Sequence, residues 1–261
     1  MKKSAMSKEY ILTIVWPLAI LCFTSQFIQI IWPYTTWKWD VDFLLTKQHV
    51  IHLDYYRAAF YVHIFSSIFV LLSGAFLFSK KVLQSWPKLH RWSGRVYVLL
   101  LLLVSAPSGF VMAFHANGGL VAQLSFFVLT PLWWWFTWVG FDMARRRQFK
   151  AHRDWMLRSY ALTLSAVSLR VYQLLLGNLL EMDPVAQYAL VSWAAWLGNL
   201  AIAEWLILRQ RRFVQGFSST TSTTVGQSTI ASGMAYSASN SVSAAATSSA
   251  VSSPLSTNFG R

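Results

Sequence analysis

Residues 80–104 read KKVLQSWPKLHRWSGRVYVLLLLLV, so a stretch with five Lys and Arg residues leads directly into an apolar run. The same alternation recurs along the chain, because sixteen of its 22 Lys and Arg residues fall in four short patches between long apolar stretches. Hydrocarbon excludes ammonium and guanidinium groups, and short cationic loops stay on the cytoplasmic side of a membrane. The net charge of +13 therefore indicates membrane topology rather than nucleic-acid binding. The patches are Lys2, Lys3 and Lys8; Lys80, Lys81, Lys88, Arg91 and Arg95; Arg145, Arg146, Arg147, Lys150 and Arg153; and Arg209, Arg211 and Arg212.

Composition agrees with an integral membrane protein, since 55% of the residues are hydrophobic and only 12% are charged. A spanning helix needs about 20 apolar residues to cross roughly 30 Å of hydrocarbon. Six stretches are long enough, and none shows the alternation of a barrel strand. The sequence therefore predicts an all-α six-helix bundle, with both termini cytoplasmic, in the cell membrane as a multi-pass protein. The stretches are Tyr10–Trp32, Ala58–Phe78, Val96–Phe114, Leu120–Phe141, Trp155–Leu180 and Val185–Leu208.

The chain divides into a short cytoplasmic segment (residues 1–9), a transmembrane domain (residues 10–212) and a tail (residues 213–261). The first apolar run is too long for a signal peptide and predicts an uncleaved span. Ser, Thr and Ala dominate the tail, whose only charge is Arg261. Such a segment buries too little apolar surface to fold, so we expect it to be disordered.

Local signals add detail to the helices. Asn117-Gly118-Gly119 predicts a turn between the third and fourth spans. Pro107 and Pro131 are expected to kink their helices, with Ser105, Ser108 and Thr130 available to the freed carbonyl groups. Three consecutive tryptophans, Trp133 to Trp135, favour packing or lipid contact over a wall for a flat cofactor or quinone.

Ionisable side chains at membrane depth are costly and mark candidate functional sites. The predicted topology places one histidine pair, His63 and His115, toward the outer side and another, His90 and His152, at the cytoplasmic edge. Two imidazoles from different helices commonly hold haem b, with arginines at its propionates. One hypothesis is therefore a transmembrane electron-transfer protein that binds haem b and exchanges electrons with a quinone or another redox partner. Its iron ligands are His63, His90, His115 and His152, and the remaining cofactor-binding residues are Arg91, Arg95, Arg158 and Arg170.

Other interpretations of these residues remain open. Counted at 1.5 Å per residue, His63 and His115 differ in depth by about 6 Å, and interfacial histidines are often structural. A non-redox protein could bind or transport a small anion or lipid at a cytoplasmic site formed by His90-Arg91 and His152-Arg153. A metal cluster of His49, His52 and Asp54 is a weaker alternative. The sequence lacks a phosphate loop and a Ser-His-Asp arrangement, which argues against a conventional kinase or hydrolase.

Two stretches resemble a known family. They are Gly74-Ala75-Phe76-Leu77-Phe78 with Trp86-Pro87-Lys88-Leu89-His90-Arg91-Trp92-Ser93-Gly94-Arg95-Val96-Tyr97, and His152-Arg153-Asp154-Trp155-Met156-Leu157-Arg158-Ser159-Tyr160-Ala161-Leu162-Thr163 continuing to Leu169-Arg170. Together they resemble the polytopic membrane family catalogued as domain of unknown function 2306, over roughly Tyr55 to Tyr172. The resemblance implies a multi-span architecture and no particular activity. It also marks His63 and the His-Arg motifs as family positions.

Overall fold

The computed structural model is all-helical and contains no strand in the part of the chain that it describes, namely residues 29, 31–179 and 181–212. All but the last few residues of the predicted first span, Tyr10–Trp32, lie outside this part, as does the tail of residues 213–261. The chain forms two compact units, Met1–Trp205 and Leu206–Arg261. All the contacts described below lie within the first unit.

The helices follow the apolar stretches of the sequence. Four segments are long and apolar enough to cross a membrane: Asp54–Gly74, Pro87–Ala113, Gly119–Arg145 and Pro184–Arg212. They match four of the six predicted spans. Two 3-10 helices, Trp32–Thr36 and Asp42–Lys47, precede them. The helices are α1 (Asp54–Leu77), α2 (Lys80–Ser85), α3 (Pro87–Leu100), a π-helix (Leu101–Ser105), α4 (Ala106–Ala113), α5 (Gly119–Arg145), α6 (Phe149–Thr163), α7 (Ser165–Leu179) and α8 (Pro184–Arg212).

The prediction of one continuous helix over Trp155–Leu180 was wrong. The structure has two helices of 15 residues each, α6 and α7, separated at Leu164. The hydroxyl of Thr163 donates to the Ser159 carbonyl at 3.2 Å, and that of Ser165 donates to the Leu162 carbonyl at 2.5 Å. Hydroxyl groups that bond back to carbonyls compete with the regular helical ladder and bend it. Neither half alone has the length that a spanning helix needs.

Pro107 lies just after the π-helix, a distortion that its missing N–H helps to explain. In a π-helix the Leu102 carbonyl would accept from the N–H five residues later, which Pro107 lacks. The indole of Trp134 supplies a donor instead, at 3.2 Å from the Leu102 oxygen. Ser108 donates to the Val104 carbonyl at 2.6 Å. The Val104 carbonyl is not the one that Pro107 leaves without a donor, and the contribution of Trp134 was not predicted from the sequence.

A buried cluster of hydroxyl groups joins α3, α5 and α6. The Tyr97 hydroxyl lies 3.1 Å from Ser159 Oγ and 3.3 Å from Thr163 Oγ1, and Thr137 Oγ1 lies 2.6 Å from Ser159 Oγ. The Trp133 indole donates to Thr163 Oγ1 at 3.0 Å. All five side chains are buried. Such bonds hold helices together in hydrocarbon, where burial of apolar surface between helices contributes little.

The two ends of the helix bundle differ in character. The basic end carries the Lys and Arg residues of residues 80–95 and 145–153. The opposite end is covered by a cap, residues 32–53, whose Tyr34 packs edge-on against Phe60 of α1 at 5.2 Å between ring centroids. Beside the cap, Gly118 and Gly119 turn the chain with φ of 86° and 67°, which confirms the predicted turn.

Helix packing around Gly74 gives a direct test of the fold. A methyl group on Gly74 would overlap the Tyr160 ring, whereas one on Gly94 would meet only Leu77 Cδ2 at 3.9 Å. We expect Gly74→Ala to lower the free energy of unfolding by about 1–3 kcal/mol, the usual cost of overpacking. Gly94→Ala should leave it unchanged or raise it slightly, because alanine favours helix. Thermal unfolding in mild detergent measures both, and equal melting temperatures would contradict the described packing.

Candidate functional site

A cavity of about 920 Å³ extends from the cap into the middle of the bundle. Its wall is formed by the cap, the 114–118 turn and helices α1, α4, α5, α6, α7 and α8, and it is mostly apolar. Both His63 and His115 line it. The structure thus places these two histidines on the wall of the same cavity.

The roof of the cavity contains a lysine that is almost completely enclosed. Lys47, which is 1% exposed, donates from Nζ to the His115 carbonyl and to Asn117 Oδ1, the latter at 2.5 Å. Asn117 in turn donates to Thr46 Oγ1 at 3.0 Å, so the cap and the 114–118 turn are joined twice. Removal from water disfavours the ammonium form, and burial lowers the pKa of Lys47 to about 8.

A tyrosine and a carboxylate lie close to the lysine in the cap. The Tyr34 hydroxyl donates to Asp42 Oδ2 at 2.9 Å and accepts from the backbone N–H of Phe43 at 3.2 Å. Burial raises the pKa of Tyr34 to about 12, and the bond to Asp42 adds to this effect. The Phe43 N–H and the positive charge of Arg170 act in the opposite direction. Tyr34 therefore remains a protonated donor that satisfies Asp42 at neutral pH.

Arg170 of α7 lines the cavity. Among the residues that the structure describes, none forms a hydrogen bond or ion pair with its guanidinium group, although its charge acts on Tyr34 and Tyr188. A guanidinium carries five N–H donors, which ordinarily find acceptors when they leave bulk water. An ionisable group at this depth marks a functional site by default.

His63 is held in one orientation on the cavity wall. Its Nδ1 lies 2.8 Å from the Ser105 carbonyl oxygen in the π-helix. A carbonyl only accepts, so Nδ1 carries the proton and Nε2 presents a lone pair, 3.4 Å from Ser67 Oγ. Gly109 provides the space for the ring, because a Cβ there would lie 2.9 Å from His63 Cε1.

His115 has a partner that the sequence did not indicate. Its Nε2 lies 2.9 Å from the Tyr55 hydroxyl, and its ring packs edge-on against Tyr56 at 5.3 Å. Burial lowers the pKa of His115, and the charges of Lys47 and His49 lower it further. His63 and His115 thus share the cavity, but Nε2 of His115 is already bound to Tyr55.

The second histidine pair lies at the basic end. His152 Nδ1 donates to the Gly140 carbonyl at 2.7 Å, whereas His90 Nδ1 is buried and has no hydrogen-bond partner within the described residues. The two imidazoles interact electrostatically. A surface pocket of about 550 Å³ nearby is lined by Ser85–Leu89 and includes neither His-Arg motif.

Residues 60–207 match the family described as Predicted membrane protein (DUF2306). The chain belongs to this family. The match covers more than half of the chain, extends beyond Tyr172 into α8, and leaves out the serine-rich tail. No curated protein and no solved structure matches the chain.

Several motif positions of this DUF2306 protein support the fold rather than line the cavity. Arg158, expected at a haem propionate, forms a bidentate ion pair with Glu204 of α8 and lies 4.7 Å above the Trp155 ring. Its guanidinium is therefore occupied. Gly140 accommodates the Met156 side chain, whose sulfur would lie 2.7 Å from a Cβ.

The other predicted site residues of the DUF2306 chain are either exposed or do not form the predicted cluster. Arg91, Arg95 and Arg153 are exposed at the basic end. No group of three or more His, Cys, Asp or Glu side chains in the described ranges could hold a metal ion. The alternative of a metal site at His49, His52 and Asp54 was therefore wrong. Lys47 and Asp42 carry no recognisable motif, and Asn117 was expected only as part of a turn, so the sequence did not indicate them as site residues.

The buried lysine predicts a pH dependence of stability. Native Lys47 releases its proton near pH 8, whereas an unfolded lysine keeps it to about 10.4, so stability should rise with pH in between. From pH 7 to 9 this contributes roughly 1 kcal/mol. We expect the melting temperature of the wild-type protein to increase over that range relative to Lys47→Met. If the melting temperatures of the two proteins changed with pH in parallel, the pKa of Lys47 would not be lowered by folding, and the prediction would be contradicted.

Proposed function

We propose that this DUF2306 protein is a six-span membrane protein that binds a membrane-soluble anionic ligand in the cavity below the cap. The observation that carries the proposal is the guanidinium of Arg170, which faces a largely apolar cavity without an acceptor among the described residues. An anionic group on a ligand supplies that acceptor. Charge-assisted hydrogen bonds of this kind are about twice as strong as neutral ones.

Charge in the cavity wall supports an anion rather than a cation. Lys47 and Arg170 are both cationic, and Asp42 is the one acidic residue in the described wall. Asp42 already accepts from the Tyr34 hydroxyl. A bound anion would therefore meet net positive charge. The proposed site therefore lies at the cap, whereas the alternative drawn from the sequence put an anion site at the cytoplasmic His-Arg motifs.

The proposed topology has Tyr10–Trp32 as the first span and α6 with α7 as a broken fifth span. The positive-inside rule then puts the basic end and both termini in the cytoplasm. The cap and the cavity would lie on the opposite side. The cavity lies among helices that are long enough to span a membrane, and its wall is mostly apolar. It therefore suits a ligand that reaches the site from the lipid phase.

Binding of decanoate is a practical test of the cavity site. We expect Arg170→Gln to weaken the binding of radiolabelled decanoate to purified protein in lipid nanodiscs at least tenfold, since a bond to a charged group contributes about 1.5–3 kcal/mol. Arg170→Lys should retain part of the affinity. Arg153→Gln, which removes an exposed charge at the basic end, is the control. Equal affinities of the wild-type and Arg170→Gln proteins would refute the proposal.

Haem-dependent electron transfer is the second candidate, and the geometry of His152 favours it. Metal-bound histidines commonly donate their second ring N–H to a carbonyl, as His152 does to Gly140 and His63 to Ser105. His90 offers a second imidazole next to His152. The nearby Arg91 and Arg95 disfavour a bare metal cation but suit the propionates of haem b. A quinone would be a suitable electron donor or acceptor.

Visible spectra distinguish the haem candidate. If haem b is bound at the basic end, protein expressed with ample haem should show a Soret band and sharp bands on reduction with dithionite. Both should be lost in His90→Ala and kept in His115→Ala. A colourless wild-type protein would exclude this candidate and leave the anion site unaffected.

A further inference from the structure

The cavity has the same depth on three of its helices. Its wall extends from Tyr56 to Leu71 on α1, from Gly118 just before α5 to Trp133, and from Thr163 at the end of α6 to Gly177 on α7. At 1.5 Å per residue, each of these stretches is about 21–22 Å long. Because the three lengths agree, the cavity is an elongated space that begins under the cap and ends in the middle of the bundle.

The lower end of this space is closed by packed side chains. Trp133 and Leu162 line the cavity and also belong to the buried core cluster with Tyr97 and Leu101. The Trp133 indole is held by Thr163 Oγ1 at 3.0 Å. A ligand therefore cannot extend past this floor toward the basic end without displacing the core.

The positions of the polar side chains distinguish two parts of the cavity, an upper chamber next to the cap and a lower chamber below Arg170 and His63. Arg170 and His63 both lie near mid-depth, about seven residues from the upper limit of the wall on their own helices. The upper chamber contains Lys47, Asp42 and Asn117. The lower chamber is lined by the apolar side chains Ile64, Ile68, Leu71, Leu129, Ala166 and Leu169, together with the floor.

Hydroxyl groups in the lower chamber do not change its apolar character. Ser165 donates to the Leu162 carbonyl at 2.5 Å, and Thr163 accepts from the Trp133 indole. Ser67 lies within hydrogen-bond distance of His63 Nε2. These three hydroxyl groups have partners in the protein, and Thr130 adds a further hydroxyl to a wall that is otherwise mostly apolar. The chamber therefore suits a hydrocarbon chain.

We infer that the ligand is a single-chain amphiphile of medium length, whose anionic head binds between Arg170 and Lys47 and whose chain fills the lower chamber. The inference rests on the proposed function. From Arg170 to Thr163 and from His63 to Leu71 the helices rise about 10–12 Å. Carbon–carbon bonds of about 1.5 Å advance an extended chain by roughly 1.25 Å per carbon, so the chamber holds about eight to ten carbons.

A chain-length series tests this inference. Unlabelled monocarboxylates of about 6 to 16 carbons compete with radiolabelled decanoate for the protein in nanodiscs. Affinity should rise about fourfold per methylene, the value for full burial of each CH₂, until the chain reaches roughly ten carbons. Beyond that length it should stop rising, because the floor blocks further insertion. Monoalkyl phosphates of the same lengths show which anionic head is preferred.

A bulky side chain in the lower chamber should shorten the alkyl chain of the ligand that binds best. Ala166 lines the cavity four residues below Arg170, on the same face of α7. We expect Ala166→Phe to lower the chain length of highest affinity by several carbons while short carboxylates still bind. Val171→Phe is the control, because Val171 is 45% exposed and lies outside the wall. The two variants also share the same partitioning of ligand into lipid.

The outcomes separate this inference from the proposed function. Affinity that rises without a limit up to 16 carbons, or an unchanged limit in Ala166→Phe, would overturn the two-chamber inference while leaving an Arg170-dependent anion site. If neither carboxylates nor phosphates displace decanoate in an Arg170-dependent way, the proposed function itself fails. A limit near ten carbons that Ala166→Phe shortens and Val171→Phe does not would support both.

Discussion

Polar groups inside a hydrocarbon layer must find partners within the protein, and most of this structure follows from that constraint. Pro107 removes one backbone donor, and the chain responds with a π-helix and an indole from Trp134. The hydroxyl groups of Tyr97, Thr137 and Ser159 satisfy one another between three helices. Even His63 of α1 donates to a carbonyl, that of Ser105. These hydrogen bonds set the rotation of each helix about its axis.

Exceptions to the constraint identify the candidate sites. Arg170 extends into the cavity without a direct acceptor, and His90 Nδ1 is buried without one, among the residues that are described. Arg158 shows the contrast, since its guanidinium is bidentate with Glu204 and stacks over Trp155. Arg158 of α6 and Arg170 of α7, twelve residues apart, thus have opposite roles. The first joins helices, whereas the second is available to a ligand.

Charge at the cap is arranged differently from charge at the basic end. The arginines of the basic end are exposed, where solvation and salt reduce their effect. Lys47 is enclosed beneath the cap, and its two acceptors come from the turn between α4 and α5. A charge in such surroundings acts strongly on a ligand, because little water screens it. This is why we propose the cavity, rather than the arginines of the basic end, as the anion site.

The amino-acid sequence by itself determined the class of the protein, the positions of its apolar helices, the turn at Gly118 and the family to which it belongs. These follow from composition, from the length of apolar runs and from local motifs, which do not depend on distant contacts. Only the tertiary structure decided which helix face each polar residue occupies. It paired Arg158 with Glu204, enclosed Lys47 and left Arg170 facing the cavity, because each of these outcomes depends on helix rotation and on residues far apart in the chain. The break at Leu164 was equally hidden, since neither proline nor glycine marks it and only the hydroxyl bonds of Thr163 and Ser165 account for it.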